Sequence, residues 1–160
     1  RMNLGFHKHD HAACISEGVA RADALCVEEG VQFTPVRKRV LELLLQAHRA
    51  MGAYQILDQL REDGFKHQPP VAYRALDFLV ARGFAHKIEK LNAFIACAHL
   101  GLHHSPAFLI CRRCASVAET RVDETRGPLS DVANSAGFVI EKAVIEAEGI
   151  CPNCLTDQPE

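Results

Sequence analysis

Apolar residues in the first half of the chain recur at helical spacing. Val19, Ala22, Leu25, Cys26 and Val27 form a stripe that starts near Ser16, a candidate N-cap, and stops at Gly30. Cys26 on that stripe reads as a small core residue. Thr34-Pro35 supplies a capping hydroxyl and a proline for the first turn of a second helix, which carries Val36, Val40, Leu41, Leu43, Leu44 and Leu45 inward. A third helix is predicted from Ala53 to Asp63 with Ile56, Leu57 and Leu60 inward, ended by Gly64. A fourth follows Pro69-Pro70 and runs to Gly83, with Leu76, Leu79 and Val80 inward and Tyr73, Arg74 and Asp77 on the other side. After Gly83 the period falls from about 3.6 to 2. Phe84, His86 and Ile88 alternate with Ala85, Lys87 and Glu89, Leu91-Asn92 turns the chain, and Ala93 to Cys97 returns. Short helices followed by a two-stranded hairpin predict a winged helix-turn-helix.

The pattern then restarts. His-rich residues 98–106 end in Ser105-Pro106, and beyond them come a strand (Ala107 to Cys111), a strand (Val117 to Val122), a helix (Leu129 to Ala136) and a strand (Phe138 to Glu146). The expected architecture is α+β: a winged helix over residues 1–97, with 1–15 a candidate disordered terminus, a hinge over 98–106, and a small α/β dimerisation and metal-binding domain over 107–160. The strands of the second unit leave an open edge that a second copy could cover.

Chemistry concentrates between His86 and Glu119 and again near the C-terminal end. Cys111-Arg-Arg-Cys114 and Cys151-Pro-Asn-Cys154 are two-residue-spaced pairs separated by 36 residues. Four thiolates on two tight turns suit a closed tetrahedral zinc site, with a redox disulfide pair or an iron site as the alternatives. The stretch also holds His86, Cys97, His99, His103 and His104. His7, His9 and His11 alternate near the start, as a loose metal grip or an accessory tract.

Charge separates the halves. Residues 1–97 carry 13 Lys and Arg against 11 Asp and Glu, and residues 98–160 carry 5 against 9, so only the first half suits a phosphate backbone. Arg37-Lys38-Arg39 opens the second helix and Lys87 and Lys90 lie on the hairpin, where a solvated face is the plainer account of each. No run of about 18 apolar residues and no signal peptide is present, so a cytoplasmic protein without a membrane partner is expected, with its seven cysteines as ligands or buried thiols. No nucleophile–base pair or Gly-rich phosphate loop appears, so no enzyme is expected.

A winged helix joined by a His-rich hinge to an α/β unit with two Cys-x-x-Cys pairs resembles the ferric uptake regulator family. Pro69 to Leu79, Gly83 to Lys87 and Asn92 to Cys97 resemble its zinc uptake regulator branch in particular, and the resemblance spans about residues 16–155. It implies a homodimeric, zinc-dependent repressor of zinc-uptake genes that binds an inverted-repeat duplex DNA operator. Cys111, Cys114, Cys151 and Cys154 match the structural site, and His86, Cys97, His104 and Glu119 the regulatory one. Two zinc ions per chain are implied, with His99 or His103 candidates for a third. Tyr73 and Arg74 fall on the family's recognition helix, with Arg37 and Lys87 as further DNA contacts. Asp58 and Arg61 match positions that link neighbouring dimers, although an i, i+3 pair within one helix accounts for them equally. Val71, followed by Ala72, stands where the family commonly has threonine, removing a hydroxyl. One thiolate, two imidazoles and one carboxylate suit Zn²⁺ and bind it less tightly than four thiolates. The rivals are an iron or peroxide sensor of the same family and a thiol switch or zinc store.

Overall fold

The computed structural model describes residues 11–47, 49–102, 104–123 and 125–156. Their contacts divide into two units, one ending at Leu102 and one beginning beyond it.

The first unit is four helices and a hairpin: α1 (His11–Glu28), α2 (Pro35–Gln46), α3 (Ala53–Glu62), α4 (Pro69–Ala81), β1 (Ala85–Ile88) and β2 (Ala93–Ala96). Thr34 caps α2 by accepting the Arg37 amide at 3.4 Å, with Pro35 in the first turn where its missing N–H costs nothing. At the start of α3 the Gln55 side chain accepts the Gly52 amide at 2.9 Å. The α4 helix ends at Gly83, whose φ of +72° lets the Phe84 amide reach back to the Leu79 carbonyl at 2.8 Å. That reversal sends the chain into the wing with Phe84 buried. Strands β1 and β2 pair antiparallel, Ala85 opposite Ala96 and His86 opposite Ile95, across a 3-10 turn (Glu89–Leu91) closed by left-handed Asn92. Reciprocal amide–carbonyl bonds of 2.8 Å between Met51 and Phe94 pin β2 to the loop between α2 and α3.

The core is the set of apolar positions that the helical period places together. Val40, Leu41, Ile56, Leu60, Leu76 and Leu79 are fully buried, joined by Phe33, Ala72, Ala75 and Phe84. An Ile56→Ala variant is expected to lose about 2–5 kcal/mol of unfolding free energy by chemical denaturation, because the cavity cannot collapse between packed helices. The periodicity misleads at both helix ends: Val27 is 75% exposed and Val80 37%. Helix α1 also starts earlier than Ser16, whose hydroxyl donates to the Ala13 carbonyl from inside the helix and so does not cap it. Residues 11–15, expected with the terminal stretch, are helical; residues 1–10 lie outside the described residues.

The second unit is a three-stranded sheet with two short helices: β3 (Ser105–Cys111), β4 (Val117–Val122), α5 (Pro128–Ser135), β5 (Ile145–Gly149) and α6 (Pro152–Thr156). Its strand order is β4-β3-β5, antiparallel on one side and parallel on the other. The strand expected from Phe138 to Glu146 is not formed at those bounds. Only Ile145–Gly149 pairs, along Ala107 to Cys111, and 138–144 is irregular. Phe108, Ile110, Ala118 and Ala133 are buried, while Leu129, Val132, Phe138, Val139 and Leu155 stand more than half exposed.

Candidate metal centres and nucleic-acid interface

In the second unit, Cys111 ends β3, Cys114 lies on the turn before β4, and Cys151 and Cys154 flank the entry to α6 just past β5. Because β3 and β5 are neighbours in register from Ala107 with Ile145 to Cys111 with Gly149, both cysteine turns emerge at the same end of the sheet. The first turn is built by the Ala115 amide bonding the Cys111 carbonyl at 2.9 Å, with Ala115 left-handed at φ +59°. The Arg112 amide to the Gly149 carbonyl (2.9 Å) and the Arg113 guanidinium to the Cys154 carbonyl (2.9 Å) tie the two turns together.

All four sulfurs lie within 4.8 Å of one another, and Cys114 and Cys151 are 3.7 Å apart. A tetrahedral zinc with sulfur at about 2.3 Å needs sulfur–sulfur separations of about 3.8 Å, so the donor set fits that ion. The polar surroundings already favour charge on two sulfurs. Backbone N–H groups around Cys111, including the Cys151 amide at 3.3 Å, pull its thiol down to about 6. The Ser116 hydroxyl, 3.1 Å from the sulfur, and the Ser116 amide lower Cys114. Cys154 is pushed up to about 12 by the neighbouring Cys151 sulfur and by burial. Thiols this close resist carrying four negative charges alone, and a divalent cation removes that conflict. Ser116 and Ala115 serve the site without any signature in the cysteine spacing.

The other candidate ligands form two pairs, one in each unit. In the first, His86 on β1 and Cys97 just after β2 bring ligand atoms within 4.8 Å of each other. Cys97 is 3% exposed, its amide bonds the Phe84 carbonyl at 2.9 Å, and its sulfur accepts the His99 amide at 3.3 Å. In the second, His104 Nε2 lies 2.8 Å from Glu119 Oε1, where β3 and β4 run side by side. The hydrogen bond uses atoms that can each serve a metal. His99 is half-buried, whereas His103, His7 and His9 lie outside the described residues, as does the side chain of His11.

Tyr73 (45% exposed) and Arg74 stand outward on α4, while Ala72, Ala75, Leu76 and Leu79 face the core. Tyr73 borders a groove of about 440 Å³ also lined by Tyr54, Gln55, Asp77, Lys87 and Asn92, among others. Tyr54, 69% exposed beside that groove, escaped the sequence reading; the signal was an aromatic at a position of α3 that its apolar stripe leaves outside. Lys87 is 3.6 Å from Glu89. Arg37 is engaged otherwise: its guanidinium lies 3.8 Å from the Phe78 ring centroid and donates to the Gln32 carbonyl at 2.5 Å. Asp58 and Arg61 pair with each other along α3 at 3.5 Å, both more than half exposed.

Residues 28–148 match the model of the ferric uptake regulator family. The chain is 39% identical over 141 residues to the zinc uptake regulation protein of Escherichia coli strain K12, covering 87% of this chain and 82% of that protein. Among solved structures it is similar to a zinc uptake regulator complexed with zinc and DNA: TM-score 0.82, 37% identity, 89% of this chain and 95% of that one. It is also similar to holo XcZur: TM-score 0.78, 40% identity, 88% and 98%.

Proposed function

From the premise that this chain belongs to the ferric uptake regulator family, we propose that it is a zinc-responsive transcriptional repressor of zinc-uptake genes, acting as a homodimer on an inverted-repeat DNA operator. The observation that carries the zinc assignment is the ligand chemistry. The chain offers a closed four-thiolate set and, separately, a thiolate softer than an iron site favours at Cys97, with His86 in the same unit and His104 with Glu119 in the other. Zn²⁺ supplies a tetrahedral Lewis-acidic centre to each set. The four cysteines hold the structural ion. His86, Cys97, His104 and Glu119 share the regulatory ion, and His99 and His103 are the reserve ligands.

Drawing ligands from both units makes the regulatory site a switch. Its filling selects the arrangement of winged domains that two operator half-sites accept, so DNA affinity rises with free zinc. Fewer thiolates make this set weaker than the structural one, so the switch empties while the staple stays filled. The exposed apolar face of the second unit, including Val132, Phe138 and Val139, is the surface a second copy covers. Asp58 and Arg61 are the contacts between neighbouring dimers. No described helix is long and apolar enough to cross a membrane, and the protein acts on DNA in the cytoplasm as a regulator without catalysis.

Tyr73 and Arg74 read bases, with Lys87 and Tyr54 lining the groove beside Tyr73. An Arg74→Ala variant is expected to lose about 1–3 kcal/mol of operator affinity and to relax preference at one base position, as read by competition with single-substitution duplexes.

The test of the whole reading is selection of bound duplexes from genomic fragments at two buffered free-zinc levels, with iron and manganese alongside. Enrichment of an inverted repeat only at the higher zinc level supports it. Enrichment with iron instead makes the protein an iron sensor, and no enrichment from a folded dimer rules out the DNA role.

A further inference from the structure

Arg74 and Phe78 stand one turn apart on one side of α4, with Arg82 at its C-cap, so whatever grips Phe78 also fixes the direction of Arg74. Phe78 is gripped on several sides. The Arg37 guanidinium centre, from the first turn of α2, lies 3.8 Å from its ring centroid, and that of Arg82 lies 5.6 Å away. Phe33 stacks on it with centroids 6.4 Å apart, and Phe33 in turn meets the buried Phe84 edge-on at 6.2 Å. The cations are themselves held. Arg37 donates to the Gln32 carbonyl at 2.5 Å, and Arg82 ion-pairs with Glu29, just past the end of α1. Lys38, 5.5 Å from the Phe33 centroid, pairs with Asp23 at 2.9 Å.

An arginine at the start of the helix preceding a recognition element would ordinarily be assigned to a DNA phosphate. Here, reaching outward would break both the ring contact and the carbonyl bond. We propose that Arg37 is a positioning residue for base readout, acting through Phe78 to set the rotation of α4 about its axis and so the aim of Tyr73 and Arg74. The inference rests on the DNA-binding reading above and adds to it a division of labour: α2 aims, α4 reads. Guanidinium suits the task because its planar face stacks on the ring while its edge still donates, which an ammonium cannot do.

The experiment uses the full-length, zinc-loaded protein with Arg37→Met, Arg37→Lys, Phe78→Leu and the Arg37→Met/Phe78→Leu double variant. Affinities for the selected operator and for a scrambled duplex are measured over a salt series, well below each variant's thermal midpoint. Arg37→Met is expected to lower the operator-to-scrambled ratio about two- to fivefold. Its salt slope on the scrambled duplex stays at the wild-type value, because no phosphate contact is lost. Arg37→Lys does not restore the ratio, and the double variant is no worse than Phe78→Leu alone. A merely destabilised protein weakens both duplexes equally and leaves the ratio unmoved, which would overturn the proposal. A salt slope reduced by about 1, rescued by Arg37→Lys and additive with Phe78→Leu, would make Arg37 a phosphate contact and overturn it too. A wild-type protein with no preference between the duplexes would overturn the DNA reading itself, and this inference with it.

Discussion

Replacing Cys97 by serine is expected to give a folded dimer that retains its four-cysteine zinc and no longer responds to free zinc. Serine is nearly the same size, and the amide bond from residue 97 to the Phe84 carbonyl belongs to the backbone, so the wing keeps its path. What disappears is the thiolate, the softest of the four ligands proposed for the regulatory ion. Outer residues that merely orient a metal ligand are worth about 10–100-fold in affinity, so deleting a ligand should cost at least the upper figure. Moving a two-state protein from about 1:99 to 99:1 requires roughly a 10⁴-fold preference of zinc for one arrangement, and a weakened ion no longer supplies it at cellular concentrations. Operator affinity at buffered low and high zinc, with gel filtration and total zinc content, checks this. Unchanged zinc dependence would remove Cys97 from the switch.

Replacing Cys111 by serine should do something different and larger. Cys111 is 2% exposed, ends β3 and receives the Cys151 amide, so its loss opens the link between the sheet and the α6 turn. Structural zinc contributes on the order of 10–16 kcal/mol in small metal-dependent domains, which matches or exceeds the roughly 5–15 kcal/mol that holds a whole domain together. Among its described residues the second unit has few fully buried side chains, Phe108 the largest. The variant is therefore expected to lose zinc, dimerisation and amide protection in β3 to β5, while exchange in α2 to α4 stays slow over their own core. Released zinc measured with a chromogenic chelator, together with amide exchange, tests this. A zinc-free, dimeric, well-folded Cys111 variant would show the site to be dispensable.

What the chain disclosed on its own follows from how local each signal is. Two cysteines three positions apart can reach one ion whatever surrounds them, and the structure brings the four sulfurs together. Likewise Thr34-Pro35 and Gly83 act within one turn and stand where the pattern placed them. The His86, Cys97, His104 and Glu119 set has no such spacing, and its assignment leaned on family resemblance. The failures were of the opposite kind. Residues 138–144 are rich in the β-branched and aromatic residues that strands favour, but β3 accepts its parallel neighbour only from Ile145 onward, a register no local pattern encodes. Ser16 looked like a cap because a hydroxyl preceding an apolar stripe usually is one, yet the chain before it contains alanines that continue a helix. The contact of Arg37 with the Phe78 ring was not legible either, because the two lie 41 positions apart.

The strand order β4-β3-β5 also dictates when the protein can become itself during synthesis. A ribosome that has released everything up to Val144 has delivered α1 to α4 and both wing strands, whose described residues form a contact unit that ends at Leu102. The second unit at that moment has two strands, one cysteine pair, and an unclaimed edge on β3. Only when Ile145–Gly149 and the Cys151–Cys154 turn emerge can the sheet close and four thiolates meet. The DNA reader is thus born early and the pairing surface late, so a nascent chain can hold a finished winged domain and still be unable to dimerise. The four-cysteine site can therefore assemble only once Cys154 has been made, later than every described strand of the sheet.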